Sequence, residues 1–296
     1  MKKSIFTLLI IAICSFKLSS QVSVYRLDET DYEDLKNSTT YFIIPKFDDD
    51  KKQQYEKILK EVWTFNALKV VTFEESKLLD LKTNKSSVFD LRSIMFSSFK
   101  GGTTYDKWID GFYLRMFNDN TNNTLESKIV ARIEFCYGKI KGRVEDRDHR
   151  IFKNVYYNFS LGFIKNSLQL VNSELLSNTG NQKELMDIEH EYELKKLRSD
   201  TLFIPSYISS FSKTSLDEIF SNTKFKYKVI SDNELELKIL NSKERFYYLN
   251  FDIYNSLKRI TIINSLTGNL SYSKFVQLSI TLKPKDIKEI NNLIKD

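Results

Sequence analysis

Four stretches of this chain hold residue types that could do chemistry. Lys139–Arg150, KIKGRVEDRDHR, gathers Asp146, Asp148 and His149, a carboxylate and imidazole set suited to a small metal site or to acid–base work. Arg143 and Arg147 stand among them, placed to grip an anion. No second histidine lies nearby, and alternating signs of charge are also the pattern of a solvated hairpin end. Ser97–Asp110, SSFKGGTTYDKWID, carries Tyr105 and Trp108 after the paired Gly101 and Gly102. Aromatic side chains on an insertion over a rigid scaffold suit stacking on a sugar or another flat ligand. The alternative is a connector whose Trp108 folds back onto the sheet. Asp48–Asp50 could be a metal cluster but reads as the start of a helix, where backbone amides favour anions. His190 lies between Glu189 and Glu191, and neighbours in sequence diverge on a helix, so these make no ligand set. There is no G-x-S-x-G, no H-E-x-x-H, no P-loop and no G-x-G-x-x-G. We therefore assign no catalytic residue, no metal ligand and no cofactor. Tyr105, Trp108, Arg143 and Arg147 are the candidate ligand-binding residues.

The elements that must position these residues follow from a repeat. Thr40–Glu75 and Asp200–Glu234 each run from a short apolar stretch through proline and an amphipathic helical stretch to a second β-rich run and a helix start. Pro45 and Pro205 are 160 positions apart, in a chain with only 3 prolines. Proline lacks the amide that a ladder needs, so it suits the point where a strand leaves its sheet. Thr72-Phe-Glu-Glu75 and Ser231-Asp-Asn-Glu234 are both S/T-x-x-E capping boxes in nearly the same register. Ser215-Leu-Asp-Glu218 is a third such box. Asp50 with Gln53 reads as a further one, opening a helix whose Tyr55, Ile58, Leu59, Val62 and Trp63 face the core. Phe112–Met116 and Ile129–Phe135 alternate with period two, and Phe246–Tyr254, Arg259–Asn264 and Leu270–Val276 read as the strands of the second copy. The offset shrinks beyond the third strand, so the first copy holds roughly a dozen extra residues, placed within Ser97–Asp110.

The predicted fold is α+β: two tandem β-α-β-α-β-β repeats, each a mixed sheet covered by helices, over 21–158 and 199–296. A helical connector over 159–198 joins them. Its Leu161, Ile164, Leu168, Val171 and Leu175 form a stripe that packs on the protein's own sheet or makes a dimer seam. Pro284 opens a last helix with Ile287, Ile290 and Ile294 facing inward. Gly268 ends the turn Asn264–Gly268 at a position that needs positive φ.

Residues 1–20 have a basic start, the apolar stretch Ile5–Phe16 and small residues before Gln21, the grammar of a secretory signal peptide. Its removal takes Lys2, Lys3 and Lys17, and lowers the formal net charge from +6 to +3, which is no nucleic-acid signature. Only Cys136 then remains, so no internal disulfide can form. A packed core must hold the fold, and 22 Phe with 16 Tyr supply the area for it.

The late run RFYYLNFDIYNSLKRITIINSLTGNLSYSKF, Arg245–Phe275, and the run FIPSYI, Phe203–Ile208, resemble a group of exported two-repeat α/β proteins of AT-rich Gram-negative bacteria. The resemblance covers mostly the second copy and implies export and a shared fold, with no activity attached. The repeat unit is also similar in topology to the small periplasmic domains of the curli secretion channel and of TolB, which mediate protein contacts in the envelope. These readings make the protein an exported, non-catalytic binding or structural module, periplasmic or at the cell surface. Its partner would be an envelope protein or glycan, and the mature chain would have no transmembrane anchor. The alternatives are a small-ligand or glycan binder using residues 97–110, and a carboxylate-based glycan hydrolase. The last needs two carboxyl groups about 5–10 Å apart in an aromatic-lined cleft.

Overall fold

The structure, a computed structural model, describes residues 21–81, 86–100, 103–118, 126–136, 156–177, 188–254, 257–277 and 279–294. The first repeat runs β1 (Val22–Val24), α1 (Glu29–Lys36), β2 (Thr39–Ile43), a 3₁₀ turn (Lys46–Lys51), α2 (Lys52–Val62), β3 (Ala67–Val71), α3 (Phe73–Ser76), β4 (Ser86–Lys100), β5 (Thr103–Asn118) and β6 (Glu126–Glu134). Helix α4 (Leu161–Ser177) follows. The second runs β7 (Ile188–Glu189), α5 (Glu191–Lys195), β8 (Thr201–Pro205), a 3₁₀ turn (Ser206–Phe211), α6 (Leu216–Phe220), β9 (Lys226–Ile230), α7 (Asp232–Asn241), β10 (Tyr247–Tyr254), β11 (Leu257–Asn264), β12 (Leu270–Gln277) and α8 (Pro284–Leu293).

Both sheets have the same strand order: β1-β6-β5-β4-β2-β3 and β7-β12-β11-β10-β8-β9. In each, the strand before the proline pairs in parallel with both neighbours and the remaining strands are antiparallel. The fold is thus α+β with two mixed sheets, and the two halves share one topology. Pro45 and Pro205 occupy equivalent places, at the carboxyl end of β2 and β8, and each leads into a 3₁₀ turn. Both capping boxes form: Thr72 accepts from Glu75 N and Ser231 from Glu234 N, while each glutamate accepts from the cap amide at 2.8 Å.

The hydrogen bond to the Ser231 amide holds the Glu234 carboxyl below its usual 4.5. A depressed carboxylate stabilises the fold above the unfolded value and loses that contribution as the pH falls through its own. Ser231→Ala keeps that amide but removes the hydroxyl that caps Glu234 N, and loss of this cap is expected to destabilise the protein by about 1 kcal/mol in urea titrations at pH 7.

The box expected at Asp50 and Gln53 is corrected. Helix α2 has no side-chain cap, because the chain leaves Pro45 in a 3₁₀ turn closed by Asp48 N to Pro45 O. That turn carries Asp48 inward, where it is buried and accepts from Tyr55 OH at 2.8 Å and Lys51 Nζ at 2.6 Å.

Helix α4 decides how the halves meet. Eleven of its 17 residues are buried, more than a single stripe can account for. One side packs with α2 against the first sheet; the other meets α7 and the β10–β11 face of the second. One apolar cluster accordingly joins Phe42, Phe89, Phe112 and Ile133 to Leu168, Leu235, Ile239 and Tyr248. The alternate residues Tyr247, Leu249, Phe251, Ile260 and Ile262 face a second cluster with α5, α6 and α8. The layers are therefore in series: sheet, helices, sheet, helices. Helix α8, equivalent to α4, ends the series, and its exposed Lys285 and Lys288 face water. A charged outer face of this kind is what a terminal repeat requires.

The Asn264–Gly268 turn seats α4 on the second repeat. Asn166 Nδ2 donates to Ser265 O at 2.9 Å, and Gln169 Nε2 to Leu266 O at 3.0 Å. Gly268 has φ 74° and touches the helix so closely that a Cβ would overlap the Asn166 carbonyl.

Candidate functional site

The largest difference between the halves is the hairpin β4–β5. Pairing with β2 ends at Phe89 and pairing with β6 ends at Glu134 opposite Gly111. From Ser93 opposite Asp110 to Lys100 opposite Thr103, eight residue pairs continue as a two-stranded ribbon. At about 3.3 Å per residue this arm is about 26 Å long. The equivalent hairpin of the second repeat stops at Tyr254 opposite Leu257, and β12 flanks it throughout. The extra residues are thus inserted into both strands, and the insertion is a β-ribbon rather than a loop. Tyr105 stands opposite Ser98 and Trp108 opposite Met95 in its register; Met95 is about half exposed. Arg143 and Arg147, with Asp146, Asp148 and His149, lie outside the described residues.

At the base of the arm, Asp90 accepts from Arg92 Nε at 2.5 Å and from Arg115 Nε and Nη2 at 3.1 and 2.9 Å. A fork of this kind fixes the planar guanidinium and stiffens the strands from which the ribbon springs. Gly111 sits at the same level, so close to β6 that a Cβ would overlap Ile133 O.

A second polar group lies between the repeats. Arg259 of β11 donates Nη2 to Glu134 of β6 at 3.0 Å and also to Asp252 of β10. Arg132 Nη2 lies 2.7 Å from the other Glu134 oxygen. All four side chains are almost fully buried, two cations against two anions. Burial pushes the Asp252 carboxyl up, and the Arg259 charge opposes this. The Cys136 thiol is pushed well up, by burial first and Asp252 second, so it is inert as a nucleophile. Gln21 extends the seam: its Nε2 donates to Glu134 O at 3.0 Å and its Oε1 accepts from Asn250 Nδ2. Asn158 Oδ1 accepts from Cys136 N at 2.7 Å, and Tyr207 OH donates to Asn250 Oδ1 at 3.0 Å.

The seam opens into a cleft at the carboxyl end of β8, where the strand order reverses and α/β sheets often bind ligands. Asp232 and Glu236 line it, with Tyr157, Phe159, Phe163 and Tyr248. Here two carboxylates and aromatic side chains share a cleft. Its volume of about 80 Å³ leaves room for about two or three waters, far below the size of a sugar site. Glu236 Oε1 accepts Leu161 N at 2.8 Å, capping α4, and Asp232 Oδ1 accepts Tyr207 N at 3.3 Å. Burial raises the Asp232 carboxyl. These acids close helix and turn termini rather than stand ready for substrate.

Sequence reasoning passed over Tyr207, Asn250, Asp252 and Arg259. The signal was a polar residue interrupting an apolar strand, as in YYLNFDIY, which on a sheet buried on both faces must find a partner indoors. Among the described residues no His, Cys, Asp or Glu group could hold a metal ion, and no helix is long and apolar enough to cross a membrane. No family of known proteins, no curated protein and no solved structure matches the chain.

Proposed function

We propose that the protein is an exported binding module of the bacterial envelope that contacts a protein or envelope component through the β4–β5 arm. The observation that carries this reading is the arm itself, an element that one repeat has and the other lacks, anchored at its base by the buried Ile109 and by Phe135 N donating to Asp110 O at 3.0 Å. Its register sets Met95 against Trp108, and Met95 is about half exposed, an apolar residue that the core beneath does not account for. Ribbon edges recognise partners by adding a strand, and side chains on the two faces give specificity. The stacked repeats supply a rigid base. Tyr105 and Trp108 are residues of this arm.

The test replaces Met95–Trp108 with a two-residue Asn-Gly turn, which keeps the buried Ile109 and its partner Ile94. The shortened chain is expected to unfold at the same urea concentration as wild type and to lose the partner that wild type recovers in stoichiometric amount from envelope extract. Equal recovery by both chains would remove the arm from the function, and no recovery by wild type would remove the binding module.

A further inference from the structure

Beside the C-terminal half of α4, against the start of α5 and the β11–β12 turn, lies an open cavity of about 510 Å³. That is within the range of about 300–1,000 Å³ usual for small-molecule sites. Its walls come from both repeats. Ser173 and Glu174 belong to α4, while His190, Glu193, Asn264, Thr267 and Asn269 belong to the second repeat.

The charges select the ligand. Among the described residues no lysine or arginine lines the cavity, so no described side chain there compensates an anion. Glu193 is already satisfied, by Lys196 on one oxygen and by Tyr247 OH at 2.9 Å on the other. Glu174 is different. It is half-buried, and no donor among the described residues reaches its carboxylate; burial alone raises its pKa. A carboxylate taken partly out of water without a partner is unfavourable unless something cationic arrives. That something is not a metal ion, since Glu174, His190 and Glu193 do not converge into a ligand set. The remaining walls are short hydroxyls and amides. Asn264 Oδ1 is spent on Leu266 N at 3.0 Å, leaving its NH₂ to donate, and Thr267 Oγ1 accepts from Asn269 N at 3.3 Å, leaving its proton to donate.

We propose that this cavity binds a small polyhydroxylated primary amine of hexosamine size, its ammonium on Glu174 and its hydroxyls on the Asn264–Asn269 turn and Ser173. The site is separate from the arm and does not depend on it. No Phe, Tyr or Trp is among the described lining residues, so charge and hydrogen bonds, not stacking on a large ring, set the selectivity.

Calorimetry on the chain without residues 1–20 tests this, with glucosamine as the probe and N-acetylglucosamine and glucose as neutral controls of the same ring. Glucosamine is expected to bind saturably and the controls about tenfold more weakly, the scale of one charge-assisted hydrogen bond. Glu174→Gln, which keeps the shape and removes the charge, is expected to bring glucosamine down to the level of the controls while leaving their binding unchanged. The arm-shortened chain should bind glucosamine as wild type does. Equal binding of glucosamine and its N-acetyl form, an unaffected Glu174→Gln variant with wild-type unfolding, or no saturable binding would overturn the proposal.

Discussion

Replacing Arg259 with methionine is expected to lower the free energy of unfolding by about 3–5 kcal/mol, the cost of stranding a buried charge whose partner has gone. Arg259 is 1% exposed and bonds both Glu134 from the first repeat and Asp252 from the second. Without it two carboxylates face only Arg132, which lies 2.7 Å from Glu134. Adding Asp252→Leu restores the balance of one cation to one anion and is expected to recover more than half of the loss in urea denaturation. The pH dependence follows from Asp252. Its folded pKa is raised above 3.8 by burial, so its favourable contribution is complete below 3.8 and is lost as the pH rises through the folded value. Removing Arg259 raises that value further. The deficit of the single variant should therefore be largest near neutrality and shrink in acid. A neutral effect of Arg259→Met at pH 7 would mean that the cluster does not clamp the repeats together.

Gly268→Ala is expected to destabilise by about 3 kcal/mol, combining the left-handed backbone penalty with displacement of α4. Gly268 has φ 74°, and a Cβ there would overlap Asn166 O. The same helix turn is held by Asn166 Nδ2 on Ser265 O and by Tyr248 OH on Asn166 Oδ1 at 3.1 Å. Gly268→Asn separates the two causes. Asparagine tolerates positive φ but keeps a Cβ, so it should recover little of the loss. If it recovers most, the turn matters only for its backbone and the contact with α4 contributes nothing.

Much of this architecture is legible in the sequence. The prolines at 45 and 205, the capping boxes at 72 and 231 and the period-two strands describe local chemistry, and local chemistry is what a sequence displays. The buried stripe of α4 and the positive φ of Gly268 follow in the same way. What the sequence hides is which charges lie inside. Lys258 and Arg259 are adjacent, point to opposite faces of the second sheet and are both buried. Lys258 bonds Thr281 O at 2.7 Å and the Asp286 carboxylate that also accepts Lys283 N at the start of α8. Charge alternation along a strand reads as a solvated face, and only the serial stacking of the layers makes it an interior. The arm was hidden for a related reason. Ser97, Ser98, Thr103 and Thr104 around paired glycines look like a loop, because a two-stranded ribbon beyond the sheet needs no regular apolar alternation. For the same reason α4 reads as the cover of one sheet, although two sheets use it.

The most direct measurement of the central claim is site-specific photocrosslinking in cells of the protein's own source, with the crosslinking residue placed at Met95 on the arm and, as a control, at the more exposed Leu78 away from it. The account expects one discrete adduct from position 95 and none from position 78. Adducts of equal yield at both positions, or none at 95 while the chain is present in the envelope, would contradict it.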